Sequence, residues 1–159
     1  MTLADISDLS QALGAITVVA SLIFVGVQIR QNTAATRAAS HHAVSDALNQ
    51  INFSFAENAE VTRIFLAGMA DRQALTNEER WRFDAFCRAY MHVCETMHMQ
   101  ADLGAGDRSI VVAEEGGIKM IFASPGIREW WAENTIGFGP EFRDYVDGLT
   151  NPVERTDAD

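Results

Sequence analysis

The chain has 159 residues and a net charge of −10, with 22 acidic residues against 12 Lys and Arg. This length suffices for one modest domain and leaves no room for a nucleotide-binding sheet with a second lobe. A nucleic-acid surface needs clustered cations. The three arginines between positions 78 and 88 share that segment with three acidic residues, so the charge argues against nucleic acid as a partner.

The amino-terminal part holds the strongest pattern in the sequence. No charged residue occurs from Leu9 to Ile29, a run of 21 residues, and apolar side chains cover the whole circumference of the helix that it would form. At 1.5 Å per residue that helix is about 31 Å long, which matches the roughly 30 Å hydrocarbon layer of a bilayer. The sequence therefore predicts one membrane-spanning helix over residues 9–29.

Three other interpretations of this run remain open. A cleaved signal peptide needs a basic start and a small-residue cleavage site, whereas Asp5 and Asp8 precede this run and Gln-Ile-Arg-Gln-Asn ends it. A buried central helix needs more surrounding chain than the roughly 100 remaining residues provide. A helix that associates with copies of itself is the third, although the run contains no Gly-x-x-x-Gly pattern.

The residues that flank the span predict its orientation. Arg30 and Arg37 follow it and no Lys or Arg precedes it, so the positive-inside rule places the amino terminus outside and the rest of the chain in the cytoplasm. The two cysteines, Cys87 and Cys94, are consistent with this orientation. Helical residues seven positions apart are too distant for a disulfide, and free thiols are typical of a reducing compartment such as the cytoplasm.

Beyond the span, the patterns predict an all-α domain. Val44, Leu48, Ile51 and Phe55 recur at helical spacing, so the spanning helix is expected to continue as a stalk to about residue 56, with one face packed on the body. A short helix over residues 59–69 follows.

Local signals place the remaining helices. Thr76 and Glu79 have the spacing of a capping box, which opens a helix over residues 77–103, and Gly104 is placed to end it. Residues 107–123 are expected to be helical, because a single strand has nothing to pair with. Ser124-Pro125 and Gly139-Pro140 each supply a cap and a proline at the first helical position of a further helix.

The predicted organisation therefore has four parts. Residues 1–8 form a short extracytoplasmic tail and residues 9–29 the transmembrane helix. Residues 30–149 form a helical stalk and bundle, and residues 150–159 a polar, loose tail.

The predicted helix over 77–103 carries the best candidates for a metal site. Glu95 and His98 have the Glu-x-x-His spacing of di-iron bundles, but such a site needs a second copy of the motif, and this chain has none. Cys94 lies four residues before His98 on the same face. The simpler interpretation is a buried structural thiol beside a solvated Glu and a flanking His. We expect no cofactor and no catalytic group, because nucleophile elbows and phosphate loops are also missing from the sequence.

The adjacent tryptophans Trp130 and Trp131 allow two interpretations. Neighbouring helical positions point about 100° apart, so both rings are buried only if the helix packs on two sides. The favoured interpretation is a core role, and the alternative leaves one ring for a partner or for the membrane interface. Phe24, Gln28 and Arg30 complete the set of partner-facing candidates.

Three stretches resemble a widespread group of short bacterial proteins without an assigned activity. They are SLIFVGVQIRQNT over residues 21–33, SPGIREWW over residues 124–131, and the closing stretch over residues 138–147. The resemblance implies one amino-terminal helix in the bacterial cytoplasmic membrane and a helical cytoplasmic body. Residues 112–117 depart from the pattern of the group, whose members carry bulky aromatic and acidic residues there, which leaves the local structure of this segment open.

These observations favour a membrane-anchored, non-catalytic interaction protein. We expect an accessory or scaffold subunit of a larger bacterial membrane complex, such as a respiratory or photosynthetic one, with the lipid bilayer and other membrane subunits as partners. One alternative is a small-molecule-binding or sensory module with a pocket among Phe83, Tyr90, Met97, Trp130 and Trp131. The other is a metal-binding protein that uses Cys94, His98 and Glu95.

Overall fold

The computed structural model of the chain describes residues 3–151, with side chains for residue 11 and residues 13–151. Helices make up nearly all of this part of the chain and it contains no strand, which confirms the all-α prediction. The α-helices are α1 (Leu3–Glu57), α2 (Ala59–Ala70), α3 (Asn77–Asp102), α4 (Arg108–Phe122), α5 (Pro125–Asn134) and α6 (Pro140–Thr150). Short 3₁₀ turns at Arg72–Ala74 and Thr135–Gly137 follow α2 and α5.

Two compact units divide the chain between Ala39 and Ser40. The first unit consists of the earlier part of α1, in which every side chain from Leu13 to Ala39 is exposed. Hydroxyl groups in this part donate to the carbonyl one turn earlier, as Thr17 does to Leu13 at 2.9 Å, so their polarity is satisfied within the helix.

The helix α1 extends beyond the predicted span over residues 9–29 at both ends. The helix runs to Glu57 and also includes residues 3–8, which the sequence assigned to a tail. No proline precedes Pro125 in the chain, so nothing interrupts the backbone hydrogen bonds of this helix. The predicted tail over residues 150–159 begins with Thr150 at the end of α6, and its residues 152–159 lie outside the described part of the chain.

In the second unit, residues 40–57 of α1 pack on the helices that follow. Val44 is buried with Met97 of α3 and Val111 of α4. Within the last turn of α1, the Phe55 ring stacks on Phe86 of α3 with the ring centres 4.9 Å apart. These contacts use the apolar face that the helical spacing of Val44 and Phe55 predicts.

Local caps determine where the shorter helices begin and end. The Thr76–Glu79 capping box is present at the start of α3 with both of its hydrogen bonds. Gly104 has a φ of 69° just after α3, a backbone conformation that residues other than glycine rarely adopt. Ser124 precedes α5 as predicted, but its side chain makes no capping bond. The Arg128 guanidinium instead donates to the carbonyl oxygens of residues 122 and 123 there, at 2.7 and 2.9 Å.

The main core forms where α3 is covered by α2, α4, α5 and α6. Its aromatic centre consists of Phe83, Trp130, Trp131, Phe138 and Phe142, all of which are buried. Gly126 at the start of α5 meets Gly68 near the end of α2, and this pair lets the two helices touch through their backbones. The helical segment that departs from the bacterial pattern, including Gly116, lies inside α4.

Candidate functional site

Among the described residues, the first unit carries a long exposed apolar surface. Within the described residues, α1 is the one helix that is long and apolar enough to cross a membrane. Large side chains such as Leu22, Ile23 and Phe24 are more than half exposed, and exposed apolar residues surround the helix on all sides. Phe24, Gln28 and Arg30, three of the partner-facing candidates, lie on this exposed part of α1.

The two tryptophans are not part of a partner-facing surface, which corrects their place among those candidates. Trp130 is fully buried and Trp131 is only 5 % exposed. The indole N–H of Trp131 donates to Asp147 of α6 at 2.9 Å, and its ring packs against Phe138 with centres 5.1 Å apart. Because α5 is covered on two sides, both rings belong to the core.

The metal candidates Cys94, Glu95 and His98 do not form a common site. Glu95 accepts a hydrogen bond from the backbone N–H of Gly139 at 2.7 Å, while its second oxygen lies 3.2 Å from a ring nitrogen of His92. Glu95 therefore fastens the start of α6 to α3 and is not the freely solvated residue that the sequence suggested. Within residues 3–151, no group of three or more His, Cys, Asp or Glu is arranged to hold a metal ion.

The other two metal candidates also have partners of their own. His98 lies 3.2 Å from Asp102 and packs on the Tyr145 ring, with the ring centres 4.4 Å apart. Burial raises the pKa of the Cys94 thiol to about 12, and the nearby Glu114 carboxylate adds to this effect. Burial also raises the pKa of Cys87. Both thiols are therefore protonated at neutral pH and are poor nucleophiles.

Among the described residues, two of the clefts formed where residues 40–57 of α1 meet the other helices contain residues of the predicted ligand pocket. The larger, of about 600 Å³, is open and mostly apolar, and Phe83 lines it. The smaller, of about 290 Å³, contains Tyr90 and Glu114, and we call it the Glu114 cleft. The five residues of the predicted ligand pocket do not share one cleft, because Phe83 and Tyr90 line different ones and Trp130 is in the core.

A buried arginine, Arg72, lies at the centre of a charged cluster that the sequence did not predict. The side chain of Arg72 is 5 % exposed and makes two hydrogen bonds of 2.9 Å to Asp84. It also donates to Glu129 at 3.0 Å and to Glu133 at 2.7 Å. The hydrogen bonds to Asp84 are the main reason why the pKa of Arg72 is raised. The spacing of Glu129 and Glu133, one turn apart on α5, is the signal that could have indicated a shared cation.

The Arg72 cluster joins elements and offers no reactive group. Its guanidinium connects the turn after α2 with α3 and α5, and its donors point at carboxylates already in the protein. Such a paired, buried cation fixes the relative placement of helices. The cluster is therefore a structural element and not a candidate active site.

Comparison with known proteins adds no assignment. No protein-family model, no curated protein and no solved structure matches this chain.

Proposed function

We propose that this protein is a membrane-anchored, non-catalytic interaction protein, an accessory or scaffold subunit that lies beside larger subunits of a bacterial membrane complex. The observation that carries the proposal is the exposed apolar surface of α1 from Leu13 to Ile29. Proteins in water rarely expose a contiguous apolar patch of more than a few hundred Å². Lipid removes this surface from water on all sides, and the helix is long enough for one crossing.

The orientation that we propose has the amino terminus outside and the second unit in the cytoplasm. Arg30 and Arg37 support it, because cations next to a span favour the cytoplasmic side. The protonated thiols Cys87 and Cys94 are compatible with a reducing compartment.

Within the bilayer we propose that Phe24 and Gln28 form the partner-facing part of the helix. They lie one turn apart on the same face, so an aromatic ring and an amide are presented together. An amide inside the hydrocarbon layer is better satisfied by a neighbouring helix than by lipid. Arg30 lies at the end of the span, where a guanidinium can reach acidic groups of a partner or lipid headgroups.

Photo-crosslinking in intact membranes tests this proposal. A photoreactive amino acid replaces Phe24 in one variant and Leu22 in the matched control, since these two positions lie about 160° apart around the helix. We expect a discrete protein adduct from position 24 only, and the same protein should co-purify in stoichiometric amount in mild detergent. Lipid adducts alone at both positions, adducts with copies of this chain alone, or purification as a free monomer would contradict the proposal.

A further inference from the structure

The Glu114 cleft has the composition of a small ligand site. It lies between residues 40–57 of α1, α2, α3, α4 and the start of α5, and its volume of about 290 Å³ is at the lower end of the range for ligand pockets. Most of its walls are apolar or aromatic. The residues that line it are Ile51, Asn52, Phe55, Phe65, Phe86, Cys87, Tyr90, Glu114, Gly117, Met120, Ile121 and Ile127.

The cleft carries one formal charge, the carboxylate of Glu114. None of its lining residues is Lys, Arg or His, and within residues 3–151 Glu114 makes no ion pair. Burial is the main reason why the pKa of the Tyr90 hydroxyl is raised, and the same holds for the Cys87 thiol, so both groups are neutral. The neighbouring carboxylate of Glu115, by contrast, forms an ion pair with the Lys119 ammonium at 3.8 Å.

The Glu114 carboxylate is held in place but keeps capacity for a ligand. One of its oxygens, Oε1, accepts a hydrogen bond from the Tyr90 hydroxyl, and no partner is found for Oε2 within the described residues. Gly117 leaves room for this arrangement, because a β carbon there would lie 2.9 Å from both the Tyr90 hydroxyl oxygen and Glu114 Oε1. A carboxylate has up to four acceptor positions, so Oε2 can accept from a donor inside the cleft.

The carboxylate of Glu114 and the apolar walls of the cleft together select a ligand by its charge and its shape. An unpaired carboxylate at an apolar wall attracts a cation more strongly than it would in water, because the local dielectric constant is low. Aromatic faces also attract cations, and Phe55, Phe65 and Phe86 line the same cleft, with the rings of Phe55 and Phe65 4.7 Å apart. An anion would be repelled by Glu114, and a neutral molecule would gain only the apolar contacts.

We propose that the Glu114 cleft binds a small organic cation, an ammonium group attached to a single aromatic ring or to an aliphatic group of that size. The ammonium lies on Glu114 Oε2 and the apolar group lies among the phenylalanines. This inference goes beyond the proposed function and does not depend on it, because every residue of the cleft belongs to the second unit.

Nuclear magnetic resonance of the full chain in detergent micelles tests the proposal directly. The probe is 2-phenylethylamine, which is protonated at pH 7, and 2-phenylethanol and phenylacetate are its neutral and anionic counterparts of similar shape. Isoleucine methyl labels report both on the cleft, through Ile51, Ile121 and Ile127, and on the first unit, through Ile16 and Ile23. We expect saturable shifts at the cleft isoleucines with the amine. Shifts only in the first unit would show that the amine enters the micelle, and would overturn the proposal.

The variant Glu114→Gln isolates the charge. Glutamine keeps an acceptor for Tyr90 and nearly the same shape, so we expect it to weaken 2-phenylethylamine binding about tenfold or more while leaving 2-phenylethanol binding unchanged. Glu115→Gln removes the same charge one position away and should leave the affinity for the amine nearly unchanged. Equal affinities for amine and alcohol in the natural protein, or equal losses in the two variants, would overturn the proposal. The wild-type titration decides the question even if Glu114→Gln does not fold.

Discussion

Gly126 lies directly against the backbone of Gly68. A β carbon added to Gly126 would be 1.8 Å from the Gly68 carbonyl oxygen, and one added to Gly68 would be 2.4 Å from the Phe83 ring. The helices α2 and α5 therefore touch through their backbones, with the buried Phe83 covering the contact from α3. This crossing brings three helices together at one point of the core.

The first prediction concerns this crossing. We expect Gly126→Ala to lower the free energy of unfolding by about 3 kcal/mol or more, because the added methyl group meets backbone that cannot move aside alone. Gly116→Ala is the control, since nothing lies within 4 Å of its added β carbon, and it should raise stability by about 0.5–1 kcal/mol. Urea unfolding in mild detergent, followed by the fluorescence of the buried tryptophans, measures both, and equal effects would contradict the crossing.

The second prediction concerns the buried cation. Arg72→Ala leaves Asp84 and two further carboxylates without their shared partner, so we expect a loss of about 3 kcal/mol in the free energy of unfolding. Arg63→Ala is the matched control, because Arg63 is 58 % exposed in its pair with Glu79 and should cost about 0–1 kcal/mol. The same unfolding assay distinguishes them, and similar costs would show that the Arg72 cluster contributes little.

The third prediction is a pH dependence at the start of α3. The pKa of Glu79 is lowered from 4.5 to about 2, first because Arg63 donates to it at 2.6 Å and then because Thr76 donates to it. A pKa lowered by folding means that the ionised carboxylate stabilises the folded state. That contribution is complete above about pH 4.5 and is lost as the pH falls towards about 2.

Substitution of Glu79 should therefore remove part of the acid sensitivity. We expect Glu79→Gln to be less stable than the natural protein at pH 7, with a difference that narrows below pH 4.5 and vanishes near pH 2. Thermal unfolding at a series of pH values measures the difference. Glu78→Gln removes an equal charge from the exposed pair with Arg82 and controls for net charge. If the natural and Glu79→Gln proteins differ in stability by the same amount at all pH values, the contacts of Glu79 with Arg63 and Thr76 do not stabilise the fold as described.

The fourth prediction concerns the thiols. Cys87 and Cys94 are buried, and burial raises the pKa of Cys94 to about 12, so neither forms a thiolate at pH 8. We expect a thiol reagent such as iodoacetamide to modify them only as fast as the second unit unfolds, and rapidly in urea. A cysteine placed at the exposed Ala34 is the accessible control. Fast modification of either natural cysteine under native conditions would be inconsistent with the core packing.

The fifth prediction concerns the membrane span. Val19 and Ile23 lie one turn apart near the middle of residues 9–29, where each lysine costs about 2.5–3.5 kcal/mol on insertion. The double variant Val19→Lys with Ile23→Lys should therefore be released from membranes by alkaline carbonate. Lysines at Ala34 and Ala38, which have the same spacing beyond the span, should leave the protein in the membrane fraction. Release or retention of both variants alike would argue against a spanning helix.

Most helix boundaries followed from the sequence because their causes are local. The capping box of Thr76 and Glu79 and the proline at position 140 act within one turn of the chain, and α3 and α6 begin where these residues predict. The uncertain segment over residues 107–123 is helical despite Gly116 and its neighbour, because packing against α3 and α6 offsets the weak helical preference of glycine.

The site residues were predicted less well, since their roles depend on distant partners. In the sequence, Glu95 belongs to a Glu-x-x-His motif and has no visible partner. In the structure, it accepts a hydrogen bond from the backbone N–H of Gly139, 44 positions later. Trp130 and Trp131 could be divided between core and surface on sequence grounds, and only the packing of α5 on two sides decided that both are buried. The Glu114 cleft had no sequence signal, because its walls come from five helices.

By itself, then, the sequence determined the helical class, the exposed apolar run of α1 and the points at which the helices begin. These depend on hydrogen bonds and side-chain periodicity within about four residues. Only the tertiary structure decided that Arg72 meets Glu133, 61 positions away, and that Gly126 rests on Gly68. Such contacts are set by the angles at which whole helices pack, and no short stretch of the chain contains that information.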